Sequence, residues 1–110
     1  MEFCYPDCHS QGVVYQIECG HCKIQGRKSH YFGESAGAAY DRGAEHLAAL
    51  RSEDSKSPLV AHWKEFHPQE DDWLFSMKVL RGHKYPLNRQ IHEGQLISSY
   101  DGIPINRKRE

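Results

Sequence analysis

The chain of 110 residues is expected to fold as one small α/β domain of the α+β kind. The expected architecture is an antiparallel three-stranded sheet flanked by helices, with an N-terminal zinc-binding knuckle drawn from residues 1–28. Three observations predict it. A segment rich in β-branched and aromatic residues occurs at 12–18, further strand-like segments occur at 29–33 and 73–80, and between and after them lie stretches with helical spacing of apolar residues. A hydrophobic fraction of 38% and a charged fraction of 26% are ordinary for a globular core, and the length allows one domain but not two. Four cysteines stand in two close pairs near the N-terminus.

The elements follow in order. Residues 1–11 are polar and contain Pro6, a stretch that makes sense only as half of a metal knuckle. Gly12-Val-Val-Tyr-Gln-Ile-Glu18 reads as a strand, and Cys19–Lys28 as the second knuckle followed by a turn at Gly26. Ser29-His-Tyr-Phe-Gly33 is the returning strand of a hairpin whose tip carries metal ligands. An alanine-rich helix is expected from Ala36 to Leu50, with Ala39, Leu47 and Leu50 apolar. Ser57-Pro58 is an N-cap followed by proline at the first helical position, opening a helix that ends near Phe66. Trp73–Leu80 alternates as a third strand, and Leu87–Tyr100 is a helix with Ile91, Leu96 and Ile97 on its apolar stripe.

Cysteine spacing points to a metal rather than to disulfides. Cys4 and Cys8 are separated by three residues and Cys19 and Cys22 by two, the second pair enclosing Gly20. Such a turn lets two thiolates converge on one tetrahedral zinc ion. A Cys-x2-Cys disulfide is mostly a redox device, and no thioredoxin-like βαβ unit is present. His9 and His21 adjoin ligand cysteines and could each replace one. His62 and His67, five apart, read as a side chain that faces the core or caps a loop and as a helix terminus, rather than as a second metal site with His83.

Charge and hydropathy narrow the function. Net charge is −1, so a nucleic-acid partner would have to be gripped by local patches. Lys23, Arg27, Lys28 and His30 form one; Arg81, His83, Lys84, Arg89 and His92 form another; Arg107, Lys108 and Arg109 close the chain. Acids gather at Glu53-Asp54 and Glu70–Asp72. No apolar run approaches the roughly 18 residues that cross a bilayer, and no signal peptide opens the chain. Twelve aromatic residues exclude a disordered tail.

Tyr15 and Tyr31 stand on the two hairpin strands, and Arg42 and His46 are four apart on the helix that follows, hence on one face. The last helix adds Glu93, with Asn106 beyond it. Singly, these residues carry little. Together they resemble the GIY-YIG nuclease family: Val13-Val-Tyr15 stands at the Gly-Ile-Tyr motif and Tyr31-Phe-Gly33 at Tyr-Ile-Gly, with the Arg–His pair, the Glu and the Asn in the family's order. The run Val-Val-Tyr-x-Ile-x-Cys-x-x-Cys, then Tyr-Phe-Gly-Glu-Ser and Arg42-Gly-Ala-Glu-His46, is similar to the endonuclease domain of Penelope-like retroelements. So are Ser57–His62, Phe66-His67, Asp72-Trp73 and Asn106-Arg107. The first motif opens on valine, with Gly12 displaced by one, and Glu34 follows Gly33 where some members have lysine.

The resemblance implies an enzyme: a metal-dependent DNA endonuclease that nicks its target to leave a 3′-hydroxyl, priming reverse transcription. It implies fusion to a reverse transcriptase, action in the nucleus and no membrane partner. Phosphodiester hydrolysis needs a deprotonated water, a neutralised phosphorane and a stabilised leaving oxygen. Glu93 would hold one Mg²⁺ or Mn²⁺, a hard ion suited to an oxygen ligand and water. Arg42 would fork onto the scissile phosphate. Tyr15 would activate the water, passing its proton to His46, because an ordinary tyrosine pKa near 10 is too high unaided. Tyr31 would bond a phosphate oxygen or water, and Asn106 would orient one of these groups. Arg89 would touch the DNA backbone or shield Glu93; Trp63 and Trp73 read as packing residues. The competing readings are a restriction or repair nuclease of the same fold, and a zinc-stapled binding module with a vestigial site.

Overall fold

Residues 11–82, 85–100 and 102–105 are described by a computed structural model of the chain. The strand expected at 12–18 is present as β1 (Gln11–Cys19), and it runs through the middle of the sheet. It pairs antiparallel on one side with β2 (Ser29–Ala38) and on the other with β3 (Phe75–Gly82). Between β1 and β2 the hairpin tip closes through a one-turn helix, α1 (Gly20–Ile24), where only a knuckle and turn were expected. Gly26 completes the return with φ of 77°, a left-handed conformation that glycine adopts without strain.

β2 runs to Ala38, five residues beyond Gly33, because its pairing with β1 continues through Ser35 opposite Val13 to Ala38 opposite Gln11. A register shift between Gln11 and Val13 coincides with Gly12 at φ 64°, the glycine-favoured geometry of a bulge. The next helix, α2 (Ala39–Ser52), therefore starts three residues later than its alanine content suggests. α3 (Pro58–Phe66) matches expectation: the Ser57 side chain accepts a hydrogen bond from the Val60 amide, and Pro58 opens the first turn. α4 (Pro86–Ser99) is followed by a strand the sequence did not suggest, β4 (Ile103–Pro104), parallel to the start of β2. The antiparallel three-stranded core thus gains a short fourth strand at one edge, in the order β3-β1-β2-β4, anchored where buried Ile105 donates its amide to the His30 carbonyl.

Alternation along β1 sends Val13, Tyr15, Ile17 and Cys19 to one face, where they pack with Phe75 and Met77 of β3 against Ala39 and Leu50 of α2 and Leu59 and Val60 of α3. Trp63 and Trp73 pack against this core, as expected. The other face carries Val14, Phe32, His30 and Glu34, and α4 crosses it, since Arg89 reaches Glu34 and Tyr100 reaches both His30 and Phe32. The apolar stripe expected on α4 is corrected here. Ile91 is half exposed, whereas Arg89 is the buried residue of the helix. The sheet face beneath α4 presents a carboxylate and an imidazole, so a cation and a phenol meet it. No helix among the described residues is long and apolar enough to cross a membrane.

Candidate active site and metal centre

Two polar clusters are built from β1. The first gathers around Tyr15, which is fully buried in mid-strand. Its hydroxyl donates to His46 Nε2 at 2.9 Å and accepts from Arg42 Nε at 3.3 Å. Arg42 and His46 reach it together because a spacing of four puts them on one face of α2. Arg42 also bonds Glu45 through Nη1 at 3.0 Å, and its side chain remains 43% exposed. Tyr31 completes the group: its ring lies edge-on to His46 at 5.3 Å and tilted to Tyr15 at 6.2 Å.

Gly33 sits opposite Tyr15 in the β1–β2 register, and the tyrosine lies across it. A Cβ at Gly33 would come within 2.4 Å of the Tyr15 hydroxyl oxygen and Cζ. The glycine two residues after Tyr31 is thus demanded by close approach, the same approach that lets Tyr15 reach α2.

Electrostatics hold this cluster in one protonation state. Burial, helped by Tyr31, pushes the Tyr15 hydroxyl well above the ordinary tyrosine range, although Arg42 opposes the shift. Burial and then the Arg42 charge lower His46 to about 4. The ring is therefore a neutral acceptor, with the tyrosine its donor.

The second cluster is a closed set of four ligand atoms. Cys19 ends β1, Cys22 lies in α1, His62 is on α3 and His67 caps its C-terminus; all are buried, and their ligand atoms lie within 4.8 Å of one another. Cys19 Sγ is 3.3 Å from His67 Nε2, and Cys22 Sγ is 3.3 Å from His62 Nε2 and 3.2 Å from His67 Nε2. A tetrahedral zinc with ordinary Zn–S and Zn–N bonds has ligand–ligand edges of roughly 3.3–3.8 Å. The set fits such an ion. It offers two soft sulfurs and two imidazoles, the donor chemistry of a closed structural site. The ion would hold the hairpin tip against the end of α3. Without it, burial pushes the Cys19 thiol up to about 11 and lowers His62 to about 4, so that thiol and that imidazole would be neutral. Gly20 is needed here as well: its amide donates to the Leu74 carbonyl at 2.6 Å, and a Cβ would meet the Leu74 side chain at 2.6 Å.

The expected centre is therefore half recovered. Cys19 and Cys22 come together as anticipated, and their partners among the described residues are His62 and His67. Cys4, Cys8 and His9 lie outside the described residues, as does His83. His21 turns away, bonding the Asp72 carbonyl at 2.9 Å. The missed signal was legible: His62-x4-His67 is itself a metal-ligand spacing, hidden only by its distance from the cysteines.

Of the expected catalytic set, Tyr15, Tyr31, Arg42 and His46 come together. Glu93 is carried by α4 on the other sheet face, half-buried and one turn beyond Arg89. Asn106 lies outside the described residues. Among those described, no second group of three or more metal-ligating side chains occurs. The chain matches no protein-family model, no curated protein and no solved structure in comparisons with each.

Proposed function

We propose that the chain is a divalent-metal-dependent DNA endonuclease of GIY-YIG type, from a Penelope-like retroelement, stapled by a structural zinc. It would act in the nucleus, fused to a reverse transcriptase, and nick DNA to leave a 3′-hydroxyl. One observation carries this reading: the Tyr15 hydroxyl is shared between His46 and Arg42 with Tyr31 alongside, four residues from three elements. A buried tyrosine needs one hydrogen-bond partner. This one has a neutral imidazole to take its proton and a guanidinium to steady the resulting oxyanion.

Tyr15 would draw the proton from the attacking water as His46 Nε2 accepts the tyrosine's own. The part-exposed Arg42 would turn its free N–H groups to the phosphate. Tyr31 would bond a phosphate oxygen. Glu93, across the sheet from Tyr15, would hold Mg²⁺ or Mn²⁺, which when bound would supply positive charge to the DNA backbone on that side. A lone carboxylate fits an ion that takes most of its ligands from water and phosphate.

The test is the nicking rate of supercoiled plasmid with Mg²⁺ or Mn²⁺. Tyr15→Phe and His46→Ala should each lose about 10²–10⁴-fold, and the double variant should be scarcely worse, because the two act as one unit. Glu93→Ala should bind DNA and fail to nick it. Undiminished nicking by Tyr15→Phe, at matched circular dichroism, would sink the assignment and leave the cluster as packing in a binding module.

A further inference from the structure

The second basic patch of the sequence is split by the fold. Arg89 leaves it, buried against Glu34, and His83 and Lys84 lie outside the described residues. Arg81 and His92 instead converge. α4 crosses β2 and β1 but leaves the edge strand β3 uncovered, and the groove between them is lined by Arg81, Asn88, Ile91, His92 and Gln95. The helix residues follow the i, i+3, i+4, i+7 pattern of one face.

Three features of this groove point the same way. No carboxylate lines it. Arg81 makes no hydrogen bond or ion pair with any described residue, whereas Lys23, His30, Arg42, Lys64 and Arg89 are each paired with an acid. Lys78, exposed on the same strand, adds a further cation. Finally, the lining mixes a guanidinium with two carboxamides, an imidazole and an isoleucine. A free anion would leave Ile91 and the carboxamide oxygens unused. A nucleic acid uses all of them: phosphate for Arg81 and His92, base edges for Asn88 and Gln95, and an apolar contact for Ile91. Asn88 to Gln95 spans about 10 Å of helix, roughly three base-pair steps.

We infer that the β3–α4 groove is a second DNA-binding surface, gripping duplex that flanks the cleaved segment. It lies on the α4 side of the sheet, away from Tyr15, so it would anchor and register the DNA without touching the scissile bond. The inference rests on the nuclease reading for its choice of DNA, but its test does not depend on cleavage.

The test is fluorescence anisotropy of a labelled DNA duplex with the full chain carrying Tyr15→Phe, without added Mg²⁺, over a series of salt concentrations. Arg81→Ala should weaken binding about 3–10-fold and reduce the slope of log affinity against log salt by about one. The Asn88→Ala/Gln95→Ala pair should weaken binding about as much and leave the slope unchanged, since it removes base rather than phosphate contacts. Arg81→Glu should be worse than Lys56→Glu, the same charge change in an exposed turn. Equal affinities for those two charge reversals would overturn the inference. So would a chain dimer dissociated by Ile91→Asp with duplex affinity unchanged, which would give the groove to a second copy. Failure of the nuclease reading looks different: plasmid nicking insensitive to Tyr15→Phe, whatever the anisotropy shows.

Discussion

His46 is a neutral base by construction. Its ring is packed between Tyr15, Tyr31 and the Arg42 charge, and this environment takes it from an ordinary 6.5 to about 4. Two outcomes follow. The nicking rate should show no histidine inflection near pH 6.5, and the ring should titrate near 4 by NMR in the folded protein. The stability consequence has a definite sign. The folded pKa lies below the unfolded one, so between pH 6.5 and 4 the unfolded chain binds more protons. Stability is full above 6.5 and is lost as pH falls toward 4. At pH 5 the loss from His46 should be about 1–2 kcal/mol. Urea unfolding at pH 7 and pH 5 should therefore show a smaller acid loss for His46→Gln than for the wild type. A ring that titrates at 6.5 would contradict this picture.

The metal centre acts between elements. β1, α1 and α3 meet there through four side chains at the edge of the apolar core. Zinc would add to that packing, because binding energy at a site absent from the unfolded chain becomes folding energy. Elemental analysis should find one zinc per chain. Cys22→Ser and His67→Gln should each lose the metal and lower the thermal midpoint by more than about 10 °C, given roughly 4–8 °C per kcal/mol at this size. Cys4→Ser should keep it. The opposite pattern, zinc retained in His67→Gln and lost in Cys4→Ser, would restore the four-cysteine arrangement.

Across the whole molecule, the two sheet faces are held by different physics. One is an apolar core under α2 and α3. The other is joined to α4 by polar links: Arg89 Nε to Glu34 at 3.0 Å, and Tyr100 to His30 Nδ1 at 2.5 Å, with His30 Nε2 in turn 3.2 Å from Glu18. A buried pair costs most when only one partner is removed. Arg89→Met should therefore destabilise by about 2–4 kcal/mol, and adding Glu34→Gln should recover most of that. Equal midpoints in urea for the single and double variants would show that Glu34 tolerates the loss of its partner. Because α4 carries Glu93, the single variant should also weaken the Mg²⁺ dependence of nicking.

The local elements were legible because each is written in short-range chemistry. β-branched and aromatic residues marked β1, the first half of β2 and most of β3, Ser57-Pro58 marked the start of α3, and Cys19-x2-Cys22 marked half of a metal centre. The pairing of Tyr15 with Arg42 and His46 was also within reach, since a spacing of four on a helix fixes a face. Three features were decided only by the tertiary structure. His62 and His67 join the cysteines because α3 packs its C-terminal end against the hairpin tip, a contact across 40 to 48 residues. β4 exists because the chain returns to the β2 edge, not because Ile-Pro favours a strand. Arg89 is buried and Ile91 exposed because helix orientation answers to the surface beneath it, and that surface, with Glu34 and His30 on it, is assembled only when β2 pairs with β1. Periodicity names a helix; which of its faces is buried depends on what it meets.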